Sequence, residues 1–252
     1  MPVEVLALIV FAGAFVQSAT GIGFGVISGP FLLHAYGYDR AIAETAVFSL
    51  VVAVVSAAGQ SSAAEPRATA GLAATLPVGV AAGLAILWAV PRSAVVSLFG
   101  LMLGTLGLVL LLQRQGTTNA AAVATQPFRF SLETASAGIL AGACAALFAA
   151  PGPAAAWGLA RTQMNGPTLR STMAVYFVIA YAAILVAFAF SGLLAGTDWK
   201  ALGFLALVCI VGAVAGIAFG DRMSGTILHR AIALIITASG LSILLSLGRT
   251  AW

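Results

Sequence analysis

The chain has 252 residues, of which 62% are hydrophobic and 7% charged, and its mean hydropathy is +1.10. A soluble domain carries about 25% charged residues, so this composition excludes one and specifies a multi-pass integral membrane protein, expected in a cytoplasmic (inner) membrane, with no room for a sizeable soluble domain. The net charge of +4 comes from cations set singly between apolar runs, which excludes a nucleic-acid surface and reads as topology-setting loop charge.

The first apolar run extends from Val3 to Tyr36, longer than the roughly 20 residues one crossing needs. Glu4 in place of a basic start, and a run that continues past residue 20, argue against a cleavable signal peptide. Inside the run lies Gln17-Ser-Ala-Thr-Gly-Ile-Gly-Phe-Gly-Val-Ile-Ser-Gly-Pro30. Gly21, Gly23 and Gly25 weaken a helix, and Gly29-Pro30 can break it. Irregular backbone survives at membrane depth only where protein or a water-filled cavity satisfies it, so the break is a candidate site.

The polar stretch Gly37-Tyr-Asp-Arg40 separates this block from a second segment over 41–59. The loop Gln60–Arg67 follows, then segments over 69–90 and 94–112, with Pro91-Arg92 between them. The polar stretch Gln113–Arg129, with Arg114, Asn119 and Pro127, reads as a connector, so that 1–113 and 131–252 form two transmembrane repeats joined by 114–130. The second half repeats the plan. A long block over 132–160 is broken at Ala149-Ala-Pro-Gly-Pro153, and segments follow over 171–194, 201–219 and 231–247. Gly29-Pro30 matches Gly152-Pro153, and Gly79 and Gly83 match Gly212 and Gly216. Small residues four apart mark close helix packing, within one protomer or across a homodimer.

Topology turns on the two long blocks. Crossing once each, they divide the cations six against five. If each turns back at its break, Arg67, Arg114, Arg129, Arg161, Arg170, Arg222 and Arg230 face Arg40, Arg92, Lys200 and Arg249, seven against four. The second arrangement fits the positive-inside rule better and puts both termini outside. The expected fold is therefore an all-α integral membrane protein of two inverted repeats, each opening with a broken or re-entrant helix, a plan common among secondary transporters.

A break frees N–H groups at the positive end of a helix dipole, which suits an anion. Candidate donors at the first break are Gln17, Ser18, Thr20 and Ser28, with the backbone at Gly21, Gly23 and Gly25 and the bend at Pro30. At the second break Gly152 offers an N–H, whereas Pro151 and Pro153 cannot. Thr45 and Ser49 in one half, and Ser171, Thr172 and Tyr176 in the other, are hydroxyls placed to complete the site. Glu44 and Arg170 open the helix after each broken block. Arg170 is a candidate for attracting an anion, and Glu44 and His34 for proton coupling. Cys144 and Cys209 lie in apolar segments without ligand neighbours, and His34 and His229 lack ligand spacing. No metal or cofactor is expected. No Gly-x-Ser-x-Gly elbow is present, so no enzyme is expected either.

The glycine-rich break ending in proline (Thr20-Gly-Ile-Gly-Phe-Gly25 to Pro30), the start Glu44-Thr-Ala-Val-Phe-Ser49, and the repetition of the layout together resemble the TauE/SafE family of membrane permeases. The similarity covers nearly the full length. It implies transport of small sulfur-containing anions such as sulfite or organosulfonates. The second break in such proteins is usually glycine-rich, and here it is Phe148-Ala-Ala-Pro-Gly-Pro153. Two rival classes are a scaffold subunit that anchors a soluble partner, which short loops disfavour, and a cation transporter or channel. The latter needs membrane carboxylates, and beyond Glu44 and Glu133 the segments are nearly free of them.

Overall fold

A computed structural model describes residues 1–112, 131–159, 164, 166–219 and 225–246, with backbone alone at 201 and 225–231. The connector at 114–130 and the cations Arg114, Arg129, Arg161, Arg222 and Arg249 lie outside the described residues, as do the side chains of His229 and Arg230. The described chain is helical throughout. Six of its helical stretches are long and apolar enough to cross a membrane: α1 (Val3–Thr20), α3 (Tyr38–Gln60, continued by a 3-10 turn to Ala63), α4 (Pro66–Ala89), α5 (Arg92–Leu112), α8 (Gly166–Phe190) and Leu202–Phe219 within α9 (Trp199–Phe219). The remaining helices are α2 (Phe24–Tyr36), α6 (Leu132–Phe148), α7 (Gly152–Leu159) and α10 (Gly225–Ser246). Exposed Leu8, Val78, Trp88, Val186, Phe204 and Leu245 belong to an apolar outer surface suited to lipid.

Both long blocks turn back on themselves. In the first, α1 ends where Gly21 enters the left-handed region (φ 77°) and returns its N–H to Gln17 O at 2.8 Å. After Ile22-Gly23 the chain restarts as α2, which runs antiparallel to α1: Ser28 Oγ donates to Ile9 O at 3.1 Å. In the second, α6 ends at Ala149, and α7 returns until Gly158 lies against Ala137. Ala149 is the one non-glycine residue at positive φ among the described residues (φ 49°, ψ 36°), a conformation that costs an L-residue about 1–2 kcal/mol.

The break is not where Pro30 suggested. Helix α2 passes straight through Gly29-Pro30 and stops at Gly37 (φ 77°). The residue facing Gly152 is Gly23, not Gly29. Proline at the seventh position of a thirteen-residue helix removes one N–H donor but leaves the helix intact, because the stronger interruption lies at the Gly21–Gly23 turn. Pro153 occupies the first turn of α7, where an N–H has no helical carbonyl to meet. Glu44 and Arg170 likewise sit inside their helices, since α3 begins at Tyr38 and α8 at Gly166.

The largest helix contacts cross between the halves. Helices α4 and α6 run side by side in the same direction, Gly138 meeting Leu72 and Gly142 meeting Leu76. Helices α1 and α9 do the same, Phe11 with Gly212 and Phe15 with Gly216. Helices α5 and α10 pack antiparallel, as do α3 and α8. The predicted glycine faces are used inside the chain: Gly79 and Gly83 lie on Ile139, Ala143 and Ala146 of α6, and Gly212 and Gly216 lie on α1.

These directions sort the helix ends onto two faces. One carries the N-terminus, Gly37, Asp39 and Arg92, and the α8–α9 turn. The other carries Gln60, Glu65, Leu112, Leu132 and Gly166.

Candidate functional site

The two breaks meet in the interior. A Cβ built on Gly152 would stand 3.2 Å from Gly23 N and 3.3 Å from Phe177 Cζ; one on Gly23 would stand 3.5 Å from the Tyr181 hydroxyl and 3.8 Å from Phe177 Cζ. A Cβ on Gly25 would run into Ala149 O. Backbone therefore faces backbone, closely enough at Gly25 that only glycine fits. Around this junction stand Ser49, at the middle of α3, and Tyr176, Phe177 and Tyr181, near the middle of α8. All three aromatic residues are fully buried, as are Gly23 and Gly152, so the junction lies in the protein interior.

The polar chemistry there is distinctive. Gln17 is 3% exposed. Its Oε1 accepts the Phe24 N–H at 2.5 Å, which supplies one first-turn donor of α2 with an acceptor and fixes the amide's orientation. The same orientation leaves Gln17 Nε2 buried without a hydrogen-bond partner. Tyr181 donates to Ala149 O at 3.3 Å. Ser49 Oγ lies beside the Tyr181 hydroxyl but outside good hydrogen-bond geometry, and the Tyr176 hydroxyl is also unpartnered. Buried polar atoms are nearly always satisfied, and leaving one unmade costs about 1–3 kcal/mol. Of the four such orphans among the described residues, three belong to Gln17, Ser49 and Tyr176. Donors held ready in a dry interior are what a small anion needs.

The other predicted residues divide. Thr20 supports the first break from within, donating to Val16 O at 2.7 Å and accepting the Ile22 N–H at 3.1 Å. The Thr45 methyl packs at Gly25. Arg170 lies against Gly21 and donates from Nη1 to Ala19 O at 3.0 Å, so a cation caps the negative end of α1 at the edge of the junction. The structure does not gather the rest there. Ser18 bonds Ser56 on α3 at 2.7 Å, and Ser28 ties α2 to α1. Thr172 accepts the Glu65 N–H at 3.0 Å and donates to Thr168 O at 2.7 Å, joining α8 to the start of α4. Ser171 is buried one residue earlier on α8. Pro30 and His34 line a groove of about 450 Å³ with Phe31, Ile235, Ser239 and Ser242, and His34 Nδ1 lies 2.7 Å from Pro30 O.

Glu44, 2% exposed, pairs with Arg40 at 2.6 Å, and the Arg40 guanidinium lies over the Tyr36 ring. A second pair on the same face joins Arg92 to Asp39 at 2.9 Å, with Arg92 also donating to Leu87 O. There Tyr38 donates to Leu147 O at 2.5 Å, tying the start of α3 to the end of α6. Phe177 and Tyr181 were missed by sequence reasoning. Within an apolar run they carry no signal apart from the Tyr176–Tyr181 spacing, which any buried helix face could show. No group of three or more His, Cys, Asp or Glu residues that could hold a metal is found among the described residues.

Comparison with known proteins places this arrangement. No curated protein and no solved structure matches the chain. The family model described as sulfite exporter TauE/SafE matches residues 5–243, nearly the whole chain. The chain thus belongs to the sulfite exporter TauE/SafE family, whose members are membrane transporters and not enzymes.

Proposed function

We propose that the protein carries a small sulfur-containing anion, sulfite or an organosulfonate, across the cytoplasmic membrane by alternating access, with the substrate held where the two breaks meet. The observation that carries this reading is the Gln17 amide. Its oxygen is committed to the first turn of α2, and its buried Nε2 is left at the junction as a donor without an acceptor. The Tyr176 hydroxyl and the Gly152 N–H at the start of α7 add to it. The family's printed description supplies the sulfur chemistry.

The halves 1–113 and 131–252 act as inverted repeats. Support comes from the packing. Exchanging α1 with α6 and α4 with α9 turns the α4–α6 pair into the α9–α1 pair, while α1 and α6 run in opposite directions. A substrate at the pseudo-symmetric centre is then exposed alternately to either side as one set of helices rocks against the other. The face with Arg67 and Arg170 is the cytoplasmic one.

The test is flux in reconstituted liposomes offered sulfite and a short alkanesulfonate. Saturable uptake that Gly23→Leu abolishes, with the variant still folded, is expected. The leucine would fill the space before Tyr181 and Phe177. Folded wild-type protein that moves neither anion would refute the reading.

A further inference from the structure

We propose that the junction selects its anion by charge, accepting a singly charged oxyanion and refusing a doubly charged one. The inference rests on the binding site proposed above and specifies which ionic form it takes. Every donor at the junction is neutral: the Gln17 amide, the Tyr176 and Tyr181 hydroxyls, Ser49 and the backbone at Gly23 and Gly152. The titratable groups facing the Tyr176 hydroxyl are Tyr181 and Cys144, and Ser49 faces Tyr181. Among the described residues no lysine or arginine faces either hydroxyl. The nearest described cation on α8, Arg170, spends a guanidinium N–H on Ala19 O, at the C-terminal end of α1. On α3 the charge nearest in sequence to Thr45 is the Glu44 carboxylate, paired with Arg40. That pair stands at the face of Asp39 and Arg92, carries no net charge and lends no cation to the junction.

Dehydration decides the outcome. The cost of moving an ion out of water rises with the square of its charge, so a dianion pays about four times what a monoanion of equal size pays. The N-termini of α2 and α7, each worth about half a positive charge, are offset by the C-termini of α1 and α6 at the same breaks, and Arg170 caps the α1 end, so the junction offers about one positive charge and leaves a second negative charge uncompensated. An alkanesulfonate is a monoanion at any ordinary pH. Sulfite loses its second proton near neutrality, so only its hydrogen sulfite form meets the requirement. Sulfate, doubly charged, does not.

The experiment uses the intact protein in liposomes with equal pH inside and out, the membrane potential clamped, and protein-free vesicles as the blank. Initial rates are measured at low substrate for methanesulfonate, sulfite and sulfate across neutral to alkaline pH. Methanesulfonate flux is expected to stay level while sulfite flux falls roughly tenfold per pH unit on the alkaline side, in step with the hydrogen sulfite fraction. Sulfate is expected neither to move nor to compete. Sulfite flux that follows total sulfite, or sulfate carried as fast as methanesulfonate, overturns charge selection while leaving the anion site standing. A parallel fall for both sulfite and methanesulfonate overturns it too, because the titrating group then belongs to the protein. No flux of any anion overturns this inference together with the transport reading beneath it.

Discussion

Two alanine substitutions, two residues apart, separate the packing demands of the junction from its binding role. At Gly25 a Cβ would run into Ala149 O, with Ala149 C at 3.1 Å and Thr45 Cγ2 at 3.2 Å. The carbonyl is backbone in a strained left-handed turn and already accepts the Tyr181 hydroxyl. It has nowhere to go, so α2 must withdraw from the second break. Overpacking of this kind costs about 1–3 kcal/mol, a fall in Tm of roughly 2–12 °C for a chain of this length. At Gly23 the nearest atoms to an added Cβ are the Tyr181 hydroxyl at 3.5 Å and Phe177 Cζ at 3.8 Å, ordinary contacts, and φ is −59°. Gly23→Ala should therefore fold like the wild type, within about 1 kcal/mol, yet place a methyl group among the donors and weaken substrate affinity. Thermal unfolding in detergent, followed by size-exclusion survival, and flux in liposomes measure the two effects. Gly25→Ala as stable as wild type, or Gly23→Ala the more damaging to stability, would refute the apposition of the breaks.

Other outcomes follow from the same contacts. Thr172→Val should lower stability by about 1 kcal/mol, because the Glu65 N–H loses its acceptor, while substrate affinity stays unchanged; a selective loss of affinity would return Thr172 to the binding site. Tyr38→Phe should cost about 1–3 kcal/mol by stranding the buried Leu147 carbonyl, read by thermal unfolding. Arg92→Ala removes a partly exposed ion pair with Asp39 worth less than about 1 kcal/mol. The expected fall in Tm is below about 4 °C, read by thermal unfolding; a much larger fall would show that the pair holds more of the fold than its exposure allows. Single cysteines at Val3 and Arg92 should label from the same side of the membrane, and labelling from opposite sides would overturn the hairpin topology.

The apolar segments were legible because lipid demands them: lengths and order agree with the helices to within a few residues. The turning back of both long blocks was legible in the cation count. The glycine stretch that holds the first break was legible too, but not that its turn lies at Gly21–Gly23 while Gly29-Pro30 stays helical. Gly29-Pro30 is the louder local signal, but a proline inside a helix removes one donor, whereas Gly21 reverses the chain by entering a region closed to most residues. Gln17 could be picked out because an amide inside an apolar run needs a partner. Phe177 and Tyr181 could not, since they look like any buried aromatic pair. Thr172 shows the opposite failure: it reads as a site hydroxyl until its acceptor role toward Glu65, far away in sequence, is seen.

The crossed pairing of α4 with α6 and α1 with α9 also governs how the protein is made. As the first half leaves the ribosome, the groove along Gly79 and Gly83 has no occupant, because its occupant is the opening helix of the second half. The face of α1 at Phe11 and Phe15 waits longer still, until α9 is synthesised. Neither half can reach its native packing alone during biogenesis. The insertion machinery must hold the early helices in the membrane without their final neighbours, and a nonsense truncation within the second half should be cleared by membrane proteolysis instead of persisting as a half-folded product.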